Sequence, residues 1–161
     1  MTHRITVGSS ALRFAAAHFA TFGGECEPLH GHNYNVSLDV CGQLTSDHWV
    51  MDFGEARRIA RAICEQLDHK FLLQAESTDL EIDKARETYR ISFRDKRYVM
   101  PASDVVPLPI ENSTAELLAE WFAGEFVRGL AAKGVSNVES VTVGIEETPG
   151  AAGWHTLRLE I

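Results

Sequence analysis

Residues 33–41 (NYNVSLDVC) alternate apolar and polar side chains in strict period two, with Tyr34, Val36, Leu38 and Val40 on one parity. Successive side chains of an extended chain point to opposite sides, so this run dictates a strand with one face in a core. Residues 5–18 mix β-branched, aromatic and small residues and also read as a strand. A Gly23-Gly24 loop follows it. After a turn over 42–47, Trp49-Val50-Met51 can pair back as a short return strand. Residues 138–145 and 155–161 give two further alternating strands.

Two helices interrupt the strands. Asp52-Phe53-Gly54-Glu55 has the spacing of a helix start, and Ala56, Ile59, Ala60, Ile63, Cys64 and Leu67 then recur every three or four residues as one apolar face. Ser113-Thr114-Ala115-Glu116 reads as a second capping box, with Leu117, Leu118, Trp121, Phe122, Phe126 and Leu130 as its stripe and Gly134 as its stop. Between the helices, residues 89–93 and 97–100 flank Arg94-Asp95-Lys96 as a hairpin, followed by a return marked by Pro101, Pro107 and Pro109. The order is strand, strand, helix, hairpin, helix, strand, strand. Segregated strands and helices predict an α+β fold, with both helices on one face of an antiparallel sheet.

At 161 residues the chain is expected to form a single domain over 1–161. Its 15 basic and 23 acidic residues give a net charge of −8, the wrong sign for tracking a phosphate backbone, so no nucleic-acid partner is expected. No apolar run reaches the roughly 18 residues of a membrane span, and the N-terminus lacks a signal-peptide core. A cytoplasmic location with no membrane partner is therefore expected. The three cysteines, Cys26, Cys41 and Cys64, form no CxxC, which argues against a disulfide framework or a cysteine-only zinc site.

The sharpest chemical feature is His30-Gly31-His32. Two histidines at i and i+2 on an extended chain project to the same side, and both imidazoles can reach one metal ion. An open catalytic zinc site needs a third ligand, and His18 at the end of the first strand is the candidate. An isolated pair of this kind is more often two exposed or hydrogen-bonded loop histidines. Cys26, four residues before His30, becomes a ligand or a base if a divalent cation deprotonates it; otherwise it is a half-buried thiol. Asp68-His69, at the end of the first helix, can form a carboxylate-tuned imidazole or a solvated helix end. Glu146-Glu147-Thr148 closes a strand, where a carboxylate can accept two parallel N–H bonds from an amino-pyrimidine edge or simply face solvent.

The order of these motifs is more informative than any one of them. Residues 14–18 (FAAAH), the run from Cys26 through His30-Gly31-His32-Asn33-Tyr34, Val50-Met51-Asp52-Phe53, Leu67-Asp68-His69, Ser113-Thr114-Ala115-Glu116 and Glu147-Thr148-Pro149 occur in series. In this the chain resembles the 6-pyruvoyltetrahydropterin synthase and 6-carboxytetrahydropterin synthase family, from about residue 5 to 161. The resemblance implies a tunnelling fold, in which strands of several subunits close a β-barrel with the helices outside. It also implies a homohexamer of two trimers with active sites at subunit interfaces. By position, His18, His30 and His32 would bind Zn2+, and Cys26 would be the proton-abstracting thiolate. Asp68 and His69 would be the second acid/base pair, while Glu147 and Thr114 would contact the pterin substrate.

The gap of three residues between Cys26 and His30 resembles the 6-carboxytetrahydropterin synthases of queuosine biosynthesis. These convert 7,8-dihydroneopterin triphosphate to 6-carboxytetrahydropterin, acetaldehyde and triphosphate. The pyruvoyl-forming branch usually shows a longer gap. A side-chain aldolase branch puts Glu at the cysteine's place; here Glu25 and Glu27 flank Cys26 but neither occupies it. A pterin-binding hexamer without turnover is the non-enzymatic alternative. The chain departs from the compact bacterial pattern in a hairpin insert over about 74–112 and in an apolar Thr148-Pro149-Gly150-Ala151 loop. No cationic triphosphate site is readable in the sequence; Arg13 and Lys70 are merely nearby candidates.

Overall fold

A computed structural model describes residues 1–159, and side chains other than those of residues 9–11. The expected strand over 33–41 is the middle of a longer one, β4 (His30–Gly42), which pairs antiparallel with β1 (His3–His18) from end to end, with one break in register between Gly8 and Arg13. Between them in sequence lies a two-residue ribbon of β2 (Thr21–Phe22) and β3 (Glu25–Cys26). Helix α1 (Phe53–Leu67) follows, then β5 (Lys70–Gln74), β6 (Glu81–Ala85), β7 (Thr88–Phe93), β8 (Lys96–Pro101) and β9 (Val105–Leu108). Helix α2 (Ala115–Ala132), β10 (Val138–Thr148) and β11 (Ala151–Arg158) complete the chain.

The main sheet has the order β11-β10-β4-β1-β5-β9, and it is mixed. The four strands from β11 to β1 are antiparallel, as the sequence predicts, but β5 and β9 join in parallel. That corrects the expectation of an antiparallel sheet. Helix α1 joins β4 to β5 and carries the chain across β1, which lets β5 dock parallel on the other edge of β1. β5 is buried on both sides, so it carries the continuous apolar run Phe71-Leu72-Leu73, with no alternation to betray it.

Both helices cover one face of this sheet. Asp52 caps α1 by accepting the Glu55 N–H at 2.8 Å, and the six apolar positions predicted from spacing are its buried residues. In α2 the cap is Thr114, which accepts from the Leu117 N–H, and not Ser113 of the expected box. The Ser113 hydroxyl instead donates to the Phe19 carbonyl at 2.9 Å. Phe122, Phe126 and Leu130 meet Phe14, Tyr34, Leu38 and Val143 in the main core. The helices approach closely because a Cβ at Gly129 would lie 2.5 Å from Ile59 Cγ2. Trp49-Val50-Met51 forms no strand: its backbone turns, the Trp49 carbonyl accepting from the Thr45 N–H. The last strand starts earlier than predicted, at Ala151, and residues 160–161 of the expected range lie outside the described residues.

Residues 89–93 and 97–100 do pair, as the hairpin of β7 and β8, and β6 extends them to three strands. One side of this arm carries Tyr89, Ile91 and Phe93. These bury against Phe19, Cys26, Phe71 and Leu73 in a second core. No helix among the described residues is long and apolar enough to cross a membrane.

Candidate metal centre and its cleft

The register of β1 decides where the first histidine goes. Between Gly8 and Arg13, β1 advances five residues while β4 advances two, from Ser37 to Asn35. The odd difference flips the side-chain parity of β1. Before the bulge the inward residue is Val7; after it the inward residues are Leu12, Phe14, Ala16 and His18. His18 thereby lies directly across from His30, and His32 stands opposite Ala16.

The three imidazoles form one cluster, with ring centroids 4.7–5.2 Å apart and ligand atoms all within 4.8 Å of one another. Two rings are oriented from behind. His18 Nδ1 lies 2.9 Å from the Ser113 carbonyl and His30 Nδ1 lies 2.8 Å from the Pro28 carbonyl. A carbonyl only accepts, so each Nδ1 carries the proton and each Nε2 presents its lone pair. His18 Nε2 is buried and has no hydrogen-bond partner. Burial, with His30 and His32 adding to it, pushes the His18 pKa down to about 4, so this imidazole stays neutral at ordinary pH. A buried, neutral, unpartnered donor beside two more is what a divalent ion needs, and the backbone carbonyls behind supply the outer contacts typical of histidine metal sites.

The cluster forms the floor of a cleft of about 640 Å³ that is also lined by Glu27, Thr114 and Glu147. Its size is that of a small-molecule site. Glu147 Oε1 stands 3.9 Å from His18 Nε2, and burial raises its pKa. Thr114 and Glu116 come from the start of α2, which β11 approaches closely: a Cβ on Gly153 would lie 2.5 Å from the Glu116 N. Gly153→Ala is expected to push the two apart and to lower stability by about 1–3 kcal/mol, as overpacking does, read as a lower melting temperature.

Cys26 is not in this cleft. It is 5% exposed, and its Sγ points into the second core, where burial raises the thiol pKa. Its neighbour Glu27 faces the histidines instead. Glu27 Oε2 accepts the Ala20 N–H at 3.0 Å and the Glu27 N–H donates to the Ala20 carbonyl, which leaves Oε1 without a hydrogen bond among the described residues. Adjacent residues of an extended segment point to opposite sides. The sequence shows both residues but not which of them faces the core. The apolar partners that claim Cys26, such as Phe71 and Phe93, come from elements far along the chain.

Asp68 and His69 lie on the opposite side of the sheet. Asp68 Oδ1 accepts the Ala15 N–H at 2.8 Å, which lowers its pKa, and the His69 N–H donates to the Ala15 carbonyl. His69 Nδ1 is 2.9 Å from Asp68 Oδ2, leaving Nε2 exposed in a cleft with Arg13, Asn33 and Asn35. The dyad forms as the sequence suggests. It does not line the cleft that holds all three histidines, Glu27 and Glu147; of the three, only His32 borders a hollow together with His69. Lys70 is tied to the Ser103 carbonyl at 2.5 Å.

Residues 8–156 match the family model described as 6-pyruvoyl tetrahydropterin synthase. The chain belongs to this family. It is 33% identical over 153 residues to a Methanocaldococcus jannaschii protein named as a 6-carboxy-5,6,7,8-tetrahydropterin synthase, with 94% of each chain covered. A Pyrococcus horikoshii protein of the same name is 30% identical, over 91% of this chain and 87% of that one. Among solved structures, Plasmodium vivax 6-pyruvoyltetrahydropterin synthase is similar at a TM-score of 0.92 and 30% identity, with 99% of each chain covered. Because that match spans nearly the whole chain, the segment at 74–112 is not an addition relative to the Plasmodium structure.

Proposed function

We propose that this chain is a zinc-dependent 6-carboxytetrahydropterin synthase, acting on 7,8-dihydroneopterin triphosphate in queuosine (7-deazaguanine) biosynthesis as a cytoplasmic homohexamer of two trimers. The observation that carries the reading is the convergence of three imidazoles, two of them oriented by backbone carbonyls, with Glu27 and Glu147 on one cleft. The names of the archaeal relatives favour the carboxy product.

A bound zinc ion would polarise the side-chain oxygens of the substrate and acidify the neighbouring C–H. His18, His30 and His32 would hold the ion. The carboxylate of Glu147 accepts two N–H bonds from the amino-pyrimidine edge, and so fixes the reacting carbon over the histidines. Glu27 Oε1, the free oxygen of a carboxylate tethered to Ala20, takes the proton in place of the Cys26 thiolate that the family resemblance implies. The Asp68–His69 dyad points away from its own chain's cleft. It serves as the second proton carrier, through His69 Nε2, when a neighbouring copy brings it to the site. That arrangement supports the proposal of active sites at subunit interfaces.

The position of Glu27 favours one second reading, side-chain aldolase cleavage to a hydroxymethyl product. A solved structure similar at a TM-score of 0.92 is described as a catalytic-residue mutant of the P. vivax synthase in which a glutamate is replaced by alanine. The zinc-loaded protein is expected to convert 7,8-dihydroneopterin triphosphate to 6-carboxytetrahydropterin and acetaldehyde, identified by mass spectrometry. A hydroxymethyl product would establish the aldolase reading, and a pyruvoyl product with released triphosphate the remaining branch. Absence of any turnover would defeat all three.

A further inference from the structure

The segment between the helices grips the loop that carries Glu27 from three directions. At one end, Gln74 Nε2 reaches Thr21 Oγ1. At the other, Asn112 accepts the Thr21 N–H at 3.0 Å and donates to the Thr21 carbonyl at 2.6 Å. From the middle, the tip of the β7–β8 hairpin comes down on the far side of the ribbon. Lys96 Nζ donates to the Cys26 carbonyl at 2.6 Å, 70 positions away in sequence. Arg94 donates to the Gly24 carbonyl and lies 3.1 Å from Glu25 Oε1. Arg94 holds a left-handed backbone, φ +53°, which a side chain other than glycine adopts at a cost and only where its surroundings hold it. Beneath the ribbon, Tyr98 stacks on Phe19, the residue after the buried histidine, at 5.1 Å.

The Cys26 carbonyl belongs to the peptide whose N–H is that of Glu27. The Glu27 N–H is bonded to the Ala20 carbonyl, so a donor on the Cys26 oxygen pins both faces of that one peptide unit. This fixes the direction in which the Glu27 side chain leaves the backbone. We infer that Lys96 is a positioning residue for Glu27, and that the three-stranded arm is a brace holding the Glu27 carboxylate over the three histidines. The inference deepens the proposed function and takes from it the role of Glu27 in turnover. A misplacement of about 1 Å in a reacting group costs on the order of a hundredfold in rate. The brace therefore acts on kcat and leaves KM, set by Glu147 and the metal, nearly alone.

The test compares wild type, Lys96→Met and Lys96→Arg, each zinc-loaded and each measured two ways. Steady-state turnover of 7,8-dihydroneopterin triphosphate is expected to show kcat lowered about ten- to a hundredfold in Lys96→Met, KM within about twofold, and recovery in Lys96→Arg, which restores the donor. Hydrogen–deuterium exchange is expected to quicken in Lys96→Met over residues 20–27, with α1 and α2 unchanged. If wild type does not act on this substrate, the proposed function fails, and exchange alone decides the brace. Faster exchange confined to 20–27 keeps the brace, and unchanged exchange overturns it. Wild-type kcat with unchanged exchange in Lys96→Met overturns the brace while the function stands. General loss of protection in both helices also overturns it, because Lys96 would then support the fold and not the loop. Arg94→Gly, which removes the outer grip while relaxing the turn backbone, is expected to show the same local exchange change if Lys96→Met does not fold.

Discussion

His32→Ala is expected to reduce bound zinc from about one ion per chain to near none and to abolish turnover, with the fold intact. The two remaining imidazoles, His18 and His30, belong to different strands and offer the ion only half of a tetrahedral shell. Loss of an outer-shell partner alone costs roughly 10–100-fold in metal affinity, and loss of a ligand costs more. The fold survives because His32 contributes its backbone, paired with Ala16, to the β1–β4 ladder, while its side chain is only half-buried at the end of the core. Metal analysis of the purified protein, with a thermal melt of the metal-free form, checks both halves. Retention of a full complement of zinc would remove His32 from the ligand set.

The same site sets an acid limit. Burial holds His18 at about 4 against an ordinary value of 6.5, so in the metal-free protein the unfolded chain binds the extra proton first as pH falls. Stability is therefore unaffected above about 6.5 and is lost progressively between 6.5 and 4, by on the order of 3 kcal/mol from this group. A chain with His18→Gln should show a shallower acid limb in its melting temperature. A bound divalent ion would oppose the loss, since it takes only the neutral ring, so the metal-loaded protein should hold its stability to lower pH.

Helix α1, the long alternating strand and the histidine pair are legible in the sequence because each rests on local information: a cap, a period, a spacing. What is not legible depends on contacts made across the chain. The parity of β1 before His18 is set by a bulge that no residue pattern announces. Ser113 has the look of a cap, but its hydroxyl is taken by Phe19 and its carbonyl by His18, so the cap falls to Thr114. β5 and β9 are short parallel strands, and β5, buried on both faces, offers no alternation to read. Cys26 and Glu27 are chemically plausible bases at adjacent positions. Only the apolar surface of the arm, built some seventy residues later, turns the thiol inward and the carboxylate toward the histidines.

That choice carries the second large prediction. Glu27→Gln is expected to lower kcat by about 10²–10⁴-fold, the usual contribution of a positioned general base. The amide keeps the shape of the side chain, and its oxygen can still accept the Ala20 N–H, so metal content and melting temperature should stay near those of wild type. Cys26→Ala should instead leave turnover within a few-fold and cost on the order of 1 kcal/mol in stability, since it trims a buried side chain. The thiol itself should alkylate slowly at neutral pH: burial disfavours the thiolate, which is the form that reacts, and Sγ lies against the second core. The opposite result, an inactive Cys26→Ala with a competent Glu27→Gln, would return the base to the thiolate. It would also mean that the ribbon of β2 and β3 rotates when subunits assemble. The brace from Lys96 and Arg94 argues against such a rotation, because turning Cys26 outward would break the Lys96 bond to its carbonyl and withdraw Sγ from the arm's apolar face at once.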